Sequence, residues 1–192
     1  MKNTEHPQRK IKWQQGKVEW TAGLFFLLFL GILLCTQLQI EGYRSTALYL
    51  EDALAASNLA SAVIDIQEYG ISHTVQIADP AAAYVLYEAA LKVNLSLNEN
   101  WECPNRDLIS GPVTVEEYIV YNVKDDLVTI YHVGRNGSIW KETGIAGEVR
   151  SPDGILIESS SVYSEISFSV EGFLGVTVEA RKGKLADIVV NE

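Results

Sequence analysis

Carboxylates, histidines and hydroxyls carry most of the chemistry open to this 192-residue chain, yet their spacing gives them little to do together. The three histidines are His6, His73 and His132. They fall in different segments, and no Cys or carboxylate stands beside His73 or His132 at metal-ligand spacing. Glu116-Glu117 and Asp125-Asp126 invite acid–base work or calcium. Neighbouring side chains on a strand point to opposite faces, so the first pair is expected to diverge. The second lies in a predicted turn without the Asp-x-Asp-x-Asp-Gly order of a calcium loop. Ser159-Ser160-Ser161 has no nucleophile elbow around it. Gly172 and Gly175 read as a tight connection between strands. Asn94-Leu95-Ser96 and Asn136-Gly137-Ser138 match a glycosylation triplet, although Asn136 already has a role as a turn residue. The sequence therefore predicts no catalytic, cofactor-binding or metal-ligating residue, and a protein that is not an enzyme.

Two further groups point to association instead. Glu19 stands at the threshold of a long apolar run, beside Trp20. A carboxylate one turn inside a bilayer costs up to a few kcal/mol unless it is paired or protonated. Tyr118, Tyr131 and Trp140, if exposed, would form a surface for a partner.

The apolar run itself, WTAGLFFLLFLGILLCTQL from Trp20 to Leu38, carries no charge. As a helix it spans about 28 Å, close to the hydrocarbon thickness of a bilayer. Before it, Lys2, Arg9, Lys10, Lys12 and Lys17 outweigh Glu5 and Glu19, a net charge of +3. After it the balance is −13, which argues against nucleic acid as a partner. Positive-inside logic places residues 1–19 in the cytoplasm as a basic tail and the chain from 41 onward outside. No small-x-small cleavage site closes the run, and Leu34 before Cys35 is wrong for a lipoprotein signal. The expected address is the cell membrane, crossed once by residues 20–40, with the bilayer as a partner. Cys35 and Cys103 are too far apart to suggest an internal disulfide.

The outer part reads as α+β. An amphipathic helical pattern continues from 43 to 69, with Leu48, Ala55, Leu59, Ala62 and Ile66 on one face. Glu51, Asn58, Ser61, Asp65 and Glu68 keep the same rhythm on a polar flank, and Gly70 is the expected stop. Asp79-Pro80 opens a second helix to about Val93, closing a helical region over 41–93. Residues 94–112 read as a connecting loop. From 113 to 192 the period is two, predicting about five antiparallel strands with helices on one face. Turns are expected at Lys124-Asp125-Asp126, Gly134-Arg135-Asn136-Gly137, Ser151-Pro152-Asp153-Gly154 and Arg181-Lys182-Gly183-Lys184.

Gly16-Lys17-Val18-Glu19 directly before a membrane helix resembles the start of TadE-like and related pseudopilin proteins of tight-adherence (Flp-type) pilus systems. The stretches EDALAASNLASAVIDIQEYG and SVYSEISFSVEGFLGVTVEARKGKLADIVV are similar in layout to TadE-like proteins of Gram-positive bacteria. The resemblance implies a structural or assembly component of a cell-surface pilus, acting through helix–helix packing without a cofactor. Gly16 and Glu19 would then mark a processing or helix-pairing site, with other pilin-like membrane proteins as partners. A prepilin peptidase favours a glutamate five residues after its glycine, whereas Glu19 follows Gly16 by three, which favours a permanently anchored chain. The alternative is a membrane-anchored module whose outer domain binds a ligand or partner.

Overall fold

A computed structural model describes residues 8–104, 109–171 and 175–189, with side chains from residue 18 onward. It divides into two compact units, Met1–Ser45 and Thr46–Glu192.

In the first unit the chain is helical: α1 runs Gln8–Ser61 and supplies all of its described residues. From Val18 to Ser45 every side chain but that of Gln39 is exposed, large apolar ones included. Among the described residues this is the one helix long and apolar enough to cross a membrane, judged by length and composition. Its polar groups suit such a setting. The Thr36 hydroxyl donates to the Ile32 carbonyl at 2.9 Å, so it needs no solvent. Charge returns only at Glu41, which pairs with Arg44 at 3.0 Å.

The second unit is α+β. It holds α1 from Thr46, then α2 (Ile66–Ser72), α3 (Pro80–Asn94) and five strands: β1 (Ser110–Lys124), β2 (Leu127–Val133), β3 (Ile139–Ile145), β4 (Ser161–Glu171) and β5 (Thr177–Asp187). All strand pairs are antiparallel, in the order β3-β2-β1-β4-β5. One core joins Leu50 and Leu54 of α1 and Tyr84, Tyr87 and Leu91 of α3 to Val115, Tyr118, Val120, Val162 and Ile166. The opposite sheet face carries Ile119, Tyr121 and Tyr163 and is covered by Ala146, Val149 and Ile157 from the β3–β4 connection.

Asp79 caps α3 as its type predicts, accepting from the Ala81 and Ala82 amides at 2.9 and 3.1 Å. The amphipathic helix does not continue to Gly70. It ends at Ser61, because Val63-Ile64 favour extended backbone and leave to pair with the segment before α3. Ile64 bridges Ile77, and the Asp65 amide donates to the Gln76 carbonyl at 2.8 Å. Asp65 then caps a new short helix, α2, in which Gly70 is interior and His73 (φ 54°) is the C-cap.

Two sheet expectations also fail. Arg181-Lys182-Gly183-Lys184 is not a turn but the middle of β5. Gly183 is needed there because the Tyr163 ring lies against it where a Cβ would stand. β3 is a seven-residue strand rather than the Ile139-Trp140 stub that the pattern suggests. β5 ends at Asp187, and Gly172 and Val190 lie outside the described residues.

Candidate functional site

The lower part of α1 places Glu19 exposed on a bare helix, beside Trp20 and one turn before Gly23. Gly16 lies in the same helix, and its surroundings are outside the described residues. The side chains of residues 1–17, Lys12 and Lys17 among them, lie outside the described residues, so Glu19 is described only as exposed on α1.

From Thr46 onward α1 has two faces, and the apolar stripe read from the sequence is not the one that packs. Leu50, Ala53, Leu54, Ser57, Asn58 and Ser61 are buried against the sheet and α3, whereas Leu48 is 63% and Leu59 55% exposed. The error is a rotation about the helix axis. It arises because three of the inward residues are polar, and each has a specific partner there. Asn58 Nδ2 donates to the Lys184 carbonyl at 2.8 Å and to that of Val162 at 3.4 Å. Ser61 Oγ donates to the Asn58 carbonyl and meets the Tyr118 hydroxyl at 2.8 Å. Ser57 Oγ donates to Ala53 and accepts from Asn94 Nδ2 at 2.9 Å. The two serine hydroxyls and the Asn58 amide nitrogen, bonded in this way, do not oppose burial, although Asn58 Oδ1 is buried without a partner among the described residues.

At the edge of this contact Glu51 receives Lys184 at 2.6 Å and Lys182 at 2.9 Å. Their hydrogen bonds, Lys184 first, and their positive charge lower the Glu51 carboxyl from its ordinary 4.5 to about 2. What remains outward on this stretch is Ala47, Leu48, Tyr49, Asp52, Ala56, Leu59 and Ala60, with a single charge among them.

The three aromatics expected to form one contact surface do not. Tyr118 is buried in the core, packed on Tyr87 and Tyr84 at centroid distances of 4.9 and 5.3 Å. A register shift in β1 between Val115 and Glu117 brings Tyr118 to the helix side. Burial raises its phenol pKa above the usual range, partly offset by Ser61. Tyr131 packs half-buried on that same side under Lys141. Trp140 lies on the other face and stacks on His132 at 4.6 Å, its surface 53% exposed.

The same bulge corrects the Glu116-Glu117 expectation. Glu116 accepts from Ser167 Oγ at 2.6 Å, and Glu117 stands opposite Glu165, so both carboxylates serve one face. No group of three His, Cys, Asp or Glu suited to a metal occurs among the described residues.

A cavity of about 270 Å³ opens between Tyr84 and Glu88 of α3, Trp101, the start of β1 and Arg135. Arg135 is committed there to structure: Nε donates to the Val115 carbonyl at 2.6 Å, and the guanidinium faces Glu116 at 3.6 Å. Small-molecule sites usually occupy roughly 300–1,000 Å³ of well-enclosed space, so this cavity carries no ligand reading.

Fold and surface thus define a small α+β unit and a helix fit to cross a bilayer, with a second, mostly apolar face of α1 exposed among the described residues. Comparison with protein-family models, with curated proteins and with solved structures finds no match to this chain.

Proposed function

We propose that this protein is a structural or assembly component of a bacterial cell-surface fibre, of the tight-adherence pilus kind. It is held in the membrane by α1, with its tail in the cytoplasm and its α+β domain outside, and it performs no catalysis. The observation that carries the reading is the outward face of α1 beyond residue 46. Sheet and α3 use the other face, so Leu48, Ala56, Leu59 and Ala60 stay exposed to another helix, with Asp52 as the one charge among them. Small residues between the leucines permit close approach of such a helix. The partner is a membrane-anchored, pilin-like subunit, because anchoring confines both helices to one surface and raises their effective concentration.

The test is site-specific photocrosslinking from position 48 or 59 in the native membrane. The expected products join this chain to single-helix surface-fibre subunits, and position 54 gives none. Crosslinks confined to lipid, or equal from 54 and 59, would refute the proposal.

A further inference from the structure

Among the described residues the sheet ends in two open edges, β3 and β5, each paired on one side only. Unpaired edge backbone is a template for another strand. β5 offers eleven residues, continuously in register with β4. Asn58 fixes which of its groups are free. One amide nitrogen can reach the Val162 and Lys184 carbonyls together only if both point into the space between β4 and β5. The Ile188 amide donating to Ser160 at 2.9 Å has the same parity. Even-numbered residues of β5 therefore bond β4, and Glu179, Arg181, Gly183 and Leu185 turn their N–H and C=O to the open edge.

Two copies of one strand pairing antiparallel about a two-fold axis obey a parity rule. Directly opposed residue numbers must have an even sum, since an odd sum would make symmetry-related pairs alternately bonded and non-bonded. Opposite charges can face each other twice only when they lie an even number of positions apart. On β3 the charges Lys141 and Glu142 are adjacent, so no symmetric register joins them. On β5, Glu179 and Arg181 are two apart. With the axis at Ala180, Glu179 of each copy opposes Arg181 of the other, Val178 opposes Lys182, Thr177 opposes Gly183, and no like charges meet. Axes at Glu179, Arg181, Lys182 or Lys184 oppose a charge to itself.

The side chains fit this register. Glu179 and Arg181 are exposed, and Arg181 has only a long contact, 3.8 Å, with Glu165. Lys182 and Lys184 point to the other face, where both are bonded to the Glu51 carboxylate. Ala180, at the axis, is small enough for the close Cα approach of a non-bonded pair.

We infer that β5 is a homotypic docking edge, joining two copies of this chain into a continuous ten-stranded sheet centred on Ala180. The inference rests on β5 and not on the outward face of α1. Opposed Cα atoms in such a pair lie about 4.5 Å apart, within disulfide reach. In the full chain in detergent, Ala180→Cys should form a disulfide-linked dimer above the background set by native Cys35 and Cys103. Glu179→Arg or Arg181→Glu should each lower that yield about tenfold, and the double reversal should restore it. Unsubstituted protein gives a second readout: the Glu179 and Arg181 amides exchange slowly when concentrated and faster on dilution. Concentration-independent exchange, yields insensitive to charge reversal, or equal crosslinking from Thr143→Cys on β3 would overturn the inference.

Discussion

Two leucines five residues apart on α1 separate the face that holds the domain together from the face left free. Leu54 is 0% exposed and packed in the main core, and Leu59 is 55% exposed. Truncating a fully buried leucine removes its transfer free energy and leaves a cavity, together about 2–5 kcal/mol. Leu59 keeps less than half its surface from water. Full burial of such a side chain is worth roughly 1.5–3 kcal/mol, so Leu59→Ala should cost at most about 1 kcal/mol, with little cavity to add. The measurement is urea unfolding of the full chain in detergent, followed by Trp and Tyr fluorescence. The midpoint should fall steeply for Leu54→Ala and barely for Leu59→Ala, at unchanged slope. In cells the order reverses on the proposed function: Leu59→Glu leaves a folded domain and removes fibre assembly. Comparable destabilisation by the two alanine variants would mean that α1 presents a different face to the sheet, and the free-face reasoning would fall with it.

The Glu51 clamp makes stability depend on acid pH. Its folded pKa lies below the unfolded value, so the stabilisation is complete above about 4.5 and is lost as pH falls towards 2. The carboxylate is about one-third exposed, and after solvent screening the contribution is about 1 kcal/mol. Comparing acid unfolding of wild type and Glu51→Gln should show that difference at pH 6 and its disappearance near pH 2; a pH-independent gap would contradict the assignment. Asn122 holds the segment before α3 by donating to the Ile77 carbonyl at 3.0 Å and accepting from its amide at 2.8 Å. Asn122→Ala leaves both groups buried without partners and should cost about 2–4 kcal/mol in the same urea assay, against under 1 kcal/mol if water replaces the side chain.

The outline of this fold was legible in the sequence because its signals are local. Asp79-Pro80, the Lys124-Asp125-Asp126 and Gly134–Gly137 turns and the period-two runs each act within a few residues. What could not be read depends on partners far along the chain. Asn58 and Ser61 look solvent-facing until Lys184 and Tyr118 are known to lie over them. Arg181-Lys182-Gly183-Lys184 looks like a turn until Glu51 receives the lysines and Tyr163 covers the glycine. Glu116 and Glu117 should have diverged, and a single bulge residue reverses that. Helical spacing fixes a period but not a phase, and on α1 the phase was set by buried polar groups.

That phase has a mechanical consequence for the domain. Apolar contact is non-directional, and a helix held by leucines alone could slide along a sheet at modest cost. Here the inner face of α1 is tied by directional bonds: Asn58 to the carbonyls of two adjacent strands, Ser61 to Tyr118, and Glu51 to two lysines of β5. A slip of one helical turn, about 5.4 Å, would break all of them together and leave buried donors unpaired. The register between helix and sheet is therefore locked, whereas the outward face, mostly leucine and alanine with Asp52 as its one charge, carries far fewer directional groups. A subunit that must keep residues 46–61 of α1 fixed on its own sheet while accepting neighbours along the same helix needs that division. It places the polar, specific interface inside the chain and the adaptable apolar one outside, as the proposed assembly role requires.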